Sequence, residues 1–536
     1  MRKEFNRVSP EEQIALENEQ EKQSIDYENM SVKEQADHLA SLQELASLYH
    51  GEPMSEKIEK TEDANWKEKL VLAKDISSSV HALGGQAMIV GGFARDEVLE
   101  RLGHKDIKSK DVDLEIYGIE FNDLRQLLDK FGKVEIVGES FGVLKINDLD
   151  ISIPRKDSKT GRSHKDFEVA CDPNMSVKEA ARRRDFTFNA LAMDPQTGEI
   201  IDNYGGVEDL KNGLIRATDE ELFGDDPLRV LRAAQFSGRF NLEVEPQTKK
   251  ICQNMDLSNL SAERVGEEWK KLLLKSEVPS RGLNTAKELG IVEKLHPELN
   301  AIVDTMQDKE WHPEGNVWNH STMVVDAAKK LCKEDNLDSD QEYTMLLAAL
   351  THDLGKATTT ETRADGHIIS HGHEEASVEP AKKFMKSLKV PGETIKKVLP
   401  LVKEHLYPTL NKDANESAVR RLSTRLSPAT IAELVLLAKS DHMGRDLEFD
   451  GFPQGSDLLD KAEKLNVKES KPAPYLRGHG KALIKEGMTP GPLFGHIMNS
   501  VYEMQLDGGI KDLSDAKAEA LKLWQKTGQF KSGVRF

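Results

Sequence analysis

Two neighbouring stretches decide the fold: AMIVGGFARD at residues 87–96 and DVDLEIY at residues 111–117. The first joins a short apolar run to a helix-forming run through two adjacent glycines. The second alternates acids with apolar residues, and this period of two indicates a β-strand with one polar face. Together they predict a strand, a glycine turn, a helix and a second strand, which is typical of a domain that mixes strands and helices.

The alternating strand carries its acids on one face. Asp111, Asp113 and Glu115 are expected to point one way, while Val112 and Leu114 point into a core. Two carboxylates about 7 Å apart on a strand can hold hard cations such as Mg²⁺. Paired magnesium ions can activate a hydroxyl and neutralise a triphosphate during in-line displacement. For the strand alone, an ordinary edge strand with solvated acids is the simpler interpretation.

The glycines before this strand strengthen the metal-site interpretation. Gly91 and Gly92 end one strand and open a helix with Arg95 in its first turn. Glycine lets the backbone approach a phosphate, and the start of a helix favours anions. Further strand-like runs follow at residues 134–137, 143–146 and 149–153. In the last of them Asp150 is expected to supply a third catalytic carboxylate, with a solvent-facing aspartate as the open alternative.

Longer motifs follow in order. RRRDFTFNAL at residues 182–191 and DDPLRVLR at residues 225–232, after GGFARD and DVD, resemble motifs of class II tRNA nucleotidyltransferases and bacterial poly(A) polymerases. The resemblance implies a palm-like nucleotidyltransferase head in which Asp111 and Asp113 bind Mg²⁺. It also implies nucleotide contacts from Gly91, Gly92, Arg95, Arg184, Asp185, Asn189, Asp225, Asp226, Arg229 and Arg232. Two positions depart from the family pattern, because Asp225 replaces a glutamate and Gln235 replaces an arginine.

The DDPLR segment offers a way to read a nucleobase. Asp226 only accepts hydrogen bonds and Arg229 only donates them, and the two lie three residues apart on a helix. Cytosine and adenine present an amino donor beside a ring-nitrogen acceptor, whereas uracil and guanine present the reverse order. The pair would therefore accept C and A and reject U and G. The alternative is that Asp226, which precedes Pro227, only caps the helix.

A second constellation of ligand-type residues lies in the helical half of the chain. Histidine and aspartate side chains suit Mg²⁺, Mn²⁺, Fe, Ni²⁺ or Zn²⁺, depending on geometry. The pattern resembles that of the HD phosphohydrolase superfamily. The resemblance implies ligands at His320, His352, Asp353 and Asp441, with His373 and His405 as further ligands. The tail segments LIKEGMTPGP at residues 483–492 and QLDG at residues 505–508 are similar to the C-terminal part of the same tRNA enzymes.

Bulk properties limit the class of protein. The chain has 536 residues and a net charge of −19, so binding of RNA would need local basic patches. Candidates are residues 182–184 and the lysines at 270, 271 and 275. Three separated cysteines without a CxxC pair argue against a zinc ribbon or a disulfide framework. No signal peptide or apolar run of about 18 residues is visible, so we expect a cytoplasmic protein without a membrane partner.

These observations predict an α+β architecture: a nucleotidyltransferase head with a palm-like mixed sheet, followed by all-α neck, HD and tail domains. The expected boundaries are a polar N-terminal extension at 1–65, the head at 66–215, a nucleobase- and RNA-binding neck at 216–305, the HD domain at 306–450 and the tail at 451–536. The extension includes a capping box at residues 31–34 that leads into a predicted helix.

The resemblance implies an enzyme that adds CMP and AMP from CTP and ATP to the 3′ end of tRNA, with a second, metal-dependent phosphohydrolase or 2′,3′-cyclic phosphodiesterase activity. A CC-adding enzyme, an A-adding enzyme and a poly(A) polymerase remain open within the same class. A different class is an HD phosphohydrolase whose head only binds RNA. A stress-type nucleotide hydrolase fits the ordered head motifs less well.

Overall fold

The structure, a computed structural model, describes residues 64–104, 111–137, 143–159, 167–449 and 451–527. The N-terminal extension and its predicted helix near residues 31–49 lie outside the described residues. The chain forms two compact units. The first comprises Met1–Ala233 and Asn241–Asn259, and the second comprises Ala234–Phe240 and Leu260–Phe536.

The first unit mixes helices and strands, as the sequence predicts. In chain order its elements are α1 (Ala64–Ala82), β1 (Gln86–Val90), α2 (Gly92–Arg101), β2 (Asp113–Tyr117), α3 (Phe121–Leu128), β3 (Glu135–Val137), β4 (Val143–Ile146), β5 (Leu149–Ser152), β6 (Arg155–Lys159), β7 (Phe167–Cys171), α4 (Val177–Arg182), a 3₁₀ turn (Thr187–Asn189), β8 (Ala192–Met193), β9 (Ile200–Ile201), α5 (Gly206–Lys211), β10 (Leu214–Ile215), α6 (Glu220–Phe223), α7 (Leu228–Phe240), β11 (Glu243–Val244) and α8 (Pro246–Asn254). Helix α7 begins in this unit, and its residues from Ala234 onward belong to the second.

A seven-stranded mixed sheet is the framework of the first unit. Its strand order is β3-β4-β5-β2-β1-β8-β9. Strands β2 and β5 are parallel, and the other neighbouring pairs are antiparallel. The side chains of Met88, Ile89, Leu114 and Ile116 in the central strands are buried. Because both faces of these strands are covered, β2 is more continuously buried than the alternating pattern predicts.

The second unit is almost entirely helical. Its elements are α9 (Ala262–Lys275), α10 (Pro279–Glu288), α11 (Ile291–Leu295), α12 (Pro297–Asn300), α13 (Val317–Glu334), α14 (Ser339–Thr351), α15 (Lys356–Thr359), β12 (Glu361–Thr362), β13 (Ile368–Ile369), α16 (His373–Ala376), α17 (Val378–Ser387), α18 (Gly392–Glu404), α19 (Tyr407–Leu410), α20 (Glu416–Leu426), α21 (Ile431–Met443), α22 (Pro453–Lys464), α23 (Gly480–Lys485), α24 (Pro492–Leu506) and α25 (Leu513–Lys526). The short hairpin of β12 and β13 is an exception that helical periodicity did not predict.

Large apolar side chains fix the helices of the second unit. Helix α14 packs between α13 and α18, and α13 also packs against α21. Trp318 of α13 is fully buried, and its indole Nε1 donates a hydrogen bond to Asn284 Oδ1 over 2.8 Å. A separate cluster around Leu483 and Trp524 forms the core of the last three helices. Burying each such side chain contributes about 1.5–3 kcal/mol.

Two general expectations from composition can be compared with the structure. Cys171, Cys252 and Cys332 are free thiols, as their separation in the sequence predicts. No helix within the described ranges combines the length and the apolar character that a membrane span requires. The predicted α+β fold class, with a mixed sheet followed by helical regions, is confirmed.

Candidate functional site

The centre of the sheet brings the predicted head carboxylates together. Asp113 is the first residue of β2, and its register partners are Val90 of β1 and Asp150 of β5. Asp111 lies two residues before Asp113, and all three aspartates are exposed. Neighbouring strands lie about 4.8 Å apart, so Asp113 and Asp150 are close neighbours across the sheet. The structure thus places three oxygen donors at one end of two parallel strands.

This arrangement of like charges favours a cation. Although Asp113 keeps an exposed surface, the protein atoms around its carboxyl group exclude part of the water and raise its pKa; Arg184 lowers this pKa, and Asp150 and Asp111 raise it further. A divalent ion would relieve the repulsion between these carboxylates, and oxygen-only donors are those that Mg²⁺ prefers. The donor set therefore fits a magnesium site.

The glycine turn faces this cluster. Gly91 has φ 73°, which favours glycine, and α2 begins at Gly92 as predicted. A Cβ added to Gly91 would lie 3.0 Å from Arg184 Nη1 and 4.0 Å from Asp113 Oδ2. The absent side chain therefore leaves space between a guanidinium and a carboxylate. This space lies at the N-terminus of a helix, where an anionic group is favoured.

A buried hydrogen-bond network joins the head motifs. Arg95 is only 5% exposed, and it donates from Nε to Asp96 Oδ1 over 2.7 Å and from Nη1 to Asn189 Oδ1 over 2.8 Å. Asn189 Nδ2 donates to Asp185 Oδ1 over 2.9 Å, and Arg232 Nε donates to Asp185 Oδ2 over 2.5 Å. Burial opposes the charge of Asp185, but Arg232 and Asn189 outweigh it and lower the pKa of that carboxyl. The network connects α2, the 3₁₀ turn and α7.

Glu115 has a role that the sequence did not reveal. It was expected to point the same way as the exposed acids of its strand, but it is buried. Tyr117 donates its hydroxyl hydrogen to Glu115 Oε2 over 2.6 Å, and the guanidinium groups of Arg183 and Arg184 lie 3.5 and 3.9 Å from the carboxylate. Glu115 thus helps to hold Arg184 beside Gly91. Glu115 and Arg184 lie 69 positions apart in the sequence, so the local alternation of acids and apolar residues could not predict their contact.

The DDPLR segment starts α7, one residue later than expected. Pro227 rather than Asp226 stands at the N-cap position, but Asp226 Oδ1 accepts a hydrogen bond from the backbone N–H of Leu228, the first residue of the helix, over 3.1 Å. Arg229 donates to the backbone carbonyl oxygens of Leu222 and Arg183 over 2.7 and 2.5 Å. Both side chains are therefore anchored by the backbone. Asp225, next to them, is half-buried.

Gln235 stands where the family pattern has an arginine. It is 2% exposed in α7, and its Nε2 has no hydrogen-bond partner within the described part of the chain. A neutral amide is far less costly to bury than an unpaired guanidinium. The substitution is therefore consistent with the buried environment of this position.

The expected basic patches are partly neutralised. Arg182 Nε lies 2.5 Å from Asp219 Oδ2, and Lys271 Nζ lies 2.8 Å from Glu268 Oε1. Lys270 lies over the ring of Tyr343, with Nζ 5.3 Å from the ring centre. These cations already have partners, so their contribution to RNA binding remains a prediction.

The six residues of the second constellation meet inside the helical unit. His320 comes from α13, His352 and Asp353 follow α14, His373 begins α16, His405 follows α18, and Asp441 lies in α21. The nitrogen-to-oxygen distances are 2.9 Å from His320 Nε2 to Asp441 Oδ1, 3.2 Å from His352 Nε2 to Asp353 Oδ2, 3.1 Å from His373 Nε2 to Asp353 Oδ1 and 3.7 Å from His405 Nε2 to Asp353 Oδ1. All six residues are buried.

Backbone carbonyls orient three of these imidazoles. The Nδ1 atom of each lies at hydrogen-bond distance from the carbonyl oxygen three residues earlier: His352 with Ala349 (2.8 Å), His373 with Ser370 (2.7 Å) and His405 with Val402 (2.7 Å). A carbonyl only accepts, so Nδ1 carries a hydrogen and the other ring nitrogen, Nε2, is the one that faces Asp353. This is the orientation that metal-binding histidines require.

The electrostatics of the second site favour ionised carboxylates and divide the imidazoles: burial opposes the charge of His320 and His373, but the neighbouring carboxylates outweigh it and raise their pKa, whereas the pKa of His405 is lowered. Burial opposes the charge of Asp353, but His352 and Lys356 outweigh it and hold the pKa of that carboxyl well below its usual value. Lys356 Nζ lies 2.7 Å from Asp353 Oδ2. Burial lowers the pKa of His405 to about 3, so this imidazole is neutral at physiological pH. Mixed imidazole and carboxylate donors fit a transition-metal ion.

Two residues of this site were missed in the sequence. Glu314 and His312 lie in the loop before α13, and Glu314 Oε1 lies 2.9 Å from His320 Nδ1 and 2.8 Å from His312 Nδ1. Burial opposes the charge of Glu314, but His312 and His320 lower the pKa of that carboxyl. The sequence feature that could have indicated them is the segment HPEG at residues 312–315, which places a histidine and a glutamate directly before the helix that carries His320.

Comparison with known families covers most of the chain. Residues 87–216 match a poly A polymerase head domain, and residues 241–303 match a probable RNA and SrmB-binding site of polymerase A. Residues 317–442 match an HD domain. The head carboxylates and the six residues of the second constellation therefore lie in segments that match known families, whereas residues 225–232 lie between two matched segments.

Solved structures of low sequence identity share the fold. The CCA-adding enzyme of Bacillus stearothermophilus in complex with CTP has a TM-score of 0.57 at 19% identity, and the match covers 87% of this chain and 99% of the other. The CCA-adding enzyme of Thermotoga maritima complexed with tRNA has a TM-score of 0.52 at 18% identity, over 85% and 98% of the two chains.

Curated relatives are more similar in sequence. The multifunctional CCA protein of Xanthomonas campestris pv. campestris (strain B100) is 33% identical over 384 residues, which covers 69% of this chain and 88% of the relative. The multifunctional CCA protein of Stenotrophomonas maltophilia (strain R551-3) is 32% identical and covers 69% and 89%. On this identity and coverage, the chain belongs to the family of multifunctional CCA proteins.

Proposed function

We propose that the protein adds the sequence CCA to the 3′ end of tRNA, transferring CMP from CTP and AMP from ATP. The observation that carries the proposal is the cluster of Asp111, Asp113 and Asp150 beside Gly91 and Arg184. The names of the relatives support it, since they are multifunctional CCA proteins and CCA-adding enzymes studied with CTP, ATP or tRNA.

The head carboxylates would hold magnesium. Asp111 and Asp113 are the proposed ligands, with Asp150 as their neighbour across the sheet. Bound magnesium would activate the 3′ hydroxyl and neutralise the triphosphate. The start of α2 at Gly92 and the guanidinium of Arg184 are placed to receive the phosphates, and Glu115 keeps that guanidinium in position. Catalysis would then depend mainly on orientation and charge stabilisation.

Asp226 and Arg229 would select the base. A carboxylate can accept about four hydrogen bonds, so capping α7 and accepting the amino group of cytosine or adenine are compatible. Arg229 is fixed by two backbone carbonyls, and its remaining N–H donors suit a ring nitrogen. Asp225 would flank the pair. Arg232, fixed by Asp185, would contribute a further positive charge to nucleotide binding.

The second site would perform metal-dependent phosphoester hydrolysis. The proposed ligands are His320, His352, Asp353, His373, His405 and Asp441. Bound metal would polarise the phosphate and supply a reactive hydroxide. The proposed target is a phosphate or 2′,3′-cyclic phosphate at a damaged tRNA end, because its removal frees the hydroxyl that the head must extend.

The proposed activities correspond to proposed domains. The head would span residues 66–215, the nucleobase- and RNA-binding neck 216–305, the HD domain 306–450 and the helical tail 451–536. The extension at 1–65 has no proposed role.

The first prediction tests nucleotide addition directly. Wild-type protein, tRNA lacking its 3′ end and each NTP are combined, and sequenced products should end in CCA only with CTP and ATP together.

Asp111→Asn or Asp113→Asn should lower the rate of nucleotide addition more than about a thousandfold, because charge stabilisation worth several kcal/mol is lost. Asp148→Asn is the matched control, since Asp148 is an exposed acid on the neighbouring turn. Products ending in CC or in a long A tail, or an active Asp113→Asn, would contradict the proposal.

The second prediction separates base reading from helix capping at Asp226. Asparagine caps as well as aspartate but also donates hydrogen bonds, whereas alanine does neither. If Asp226 reads the base, both variants should incorporate UTP and GTP more often than wild type. If it only caps, Asp226→Ala should lose about 1 kcal/mol of stability, Asp226→Asn should not, and base choice should stay unchanged in both. Misincorporation and melting curves measure the two effects.

The third prediction concerns the second site. Asp353→Asn and His352→Ala should remove hydrolysis of 2′,3′-cyclic nucleotides and p-nitrophenyl phosphate, measured across Ni²⁺, Mn²⁺, Co²⁺ and Mg²⁺. Nucleotide addition should be unchanged, because the head has its own donor set. The matched control is His371→Ala, since His371 is exposed and adjoins the site in sequence. Hydrolysis that no metal raises above the Asp353→Asn level would contradict this part of the proposal.

A further inference from the structure

The loop before α13 contributes a buried carboxylate that the proposed reaction does not use. The side chain of Glu314 is 3% exposed. Its Oε1 lies 2.9 Å from His320 Nδ1 and 2.8 Å from His312 Nδ1, and its Oε2 accepts a hydrogen bond from the backbone N–H of Asp446 over 3.3 Å. A carboxylate that is buried this deeply, with three nitrogen atoms within 3.3 Å of its oxygens, is a built feature of the site.

The partner of His320 differs from those of the other site histidines. His352, His373 and His405 each direct Nδ1 to a backbone carbonyl three residues earlier. His320 directs Nδ1 to a carboxylate instead. A carboxylate partner fixes the tautomer as a carbonyl does, but its negative charge also makes the imidazole a stronger donor.

We propose that Glu314 is a positioning residue for His320 and thereby raises the affinity of the second site for a transition-metal ion. In this role it takes the Nδ1 hydrogen of His320 across the 2.9 Å contact, and the other ring nitrogen, Nε2, faces Asp441 at 2.9 Å and Asp353 at 3.7 Å. His312 bonds to the same carboxylate oxygen and keeps it in place. The inference rests on the proposed metal at this site, but not on any substrate.

A different use of the same atoms is a separate metal site. Ligand atoms of His312, Glu314 and His320 lie within 4.8 Å of one another. The two nitrogen-to-oxygen distances of 2.8 and 2.9 Å have the length of hydrogen bonds. With a separate metal site, His320 would have to bind one ion through Nδ1 and the ion of the second site through Nε2. A neutral imidazole carries a hydrogen on one ring nitrogen and has a lone pair only on the other, which favours positioning over direct ligation.

The test measures metal binding without turnover. Wild type, Glu314→Ala and Glu314→Gln of the full chain are titrated with Co²⁺ against a chromophoric chelator, and the visible spectrum of bound Co²⁺ is recorded. Glu314→Ala should weaken Co²⁺ binding about 10- to 100-fold with unchanged stoichiometry. Glu314→Gln should be intermediate, because an amide oxygen still accepts the hydrogen but carries no charge. Asp304→Asn, which changes an exposed acid of the same loop, should match wild type.

The outcomes separate the alternatives. Unchanged affinity in both Glu314 variants would overturn the positioning role. Loss of one bound ion with unchanged affinity for the rest would overturn it in favour of a separate metal site. If Glu314→Ala does not fold, the isosteric Glu314→Gln decides. A wild-type protein that binds no Co²⁺, Ni²⁺ or Mn²⁺ would contradict the proposed metal itself, which distinguishes that failure from the failure of this inference.

Discussion

The carboxylate of Asp185 is the group on which the geometry of the head depends. It is buried, and it accepts hydrogen bonds from Asn189 and Arg232. Asn189 in turn accepts from Arg95. Breaking such a buried pair leaves an uncompensated charge, which costs several kcal/mol. Because Arg95 follows the glycine turn and Arg232 lies on α7, one carboxylate links the proposed phosphate-binding element to the proposed base-binding element.

The two proposed metal sites bring their ligands together in different ways and offer different donor atoms. In the head, adjacent parallel strands place Asp113 and Asp150 in register, so the sheet itself brings the carboxylates together. In the helical unit, histidines from different helices converge, and hydrogen bonds at Nδ1 fix three of the four rings. Oxygen donors in the head suit Mg²⁺, and imidazoles in the other site suit transition metals. In the proposed function, this difference would let one chain use two metals.

Local patterns in the sequence predicted the features that depend on neighbouring residues. The alternation around Asp113 and the glycines at Gly91 and Gly92 predicted β1, α2 and β2 to within about one residue. Features that depend on distant contacts were missed. Arg95 is buried in contact with Asn189, which lies 94 positions later in the chain. Glu115 is buried in contact with Arg183 and Arg184, which also lie far from it in the sequence. Only the family resemblance predicted that the six HD ligands come together, because no periodic pattern in the sequence indicates which distant residues meet.

The most direct test of this account is a double-mutant cycle on the Asp185–Arg232 pair. The free energy of opening of β1 and β2 is measured by amide hydrogen exchange in wild type, Asp185→Ala, Arg232→Ala and the double variant, which confines the measurement to the first unit. If Asp185 connects the head motifs, the two substitutions should be coupled by about 1–3 kcal/mol. If the free-energy changes of the two single substitutions add within about 0.5 kcal/mol, the account is contradicted, because Asp185 would then act independently of Arg232 and helix α7.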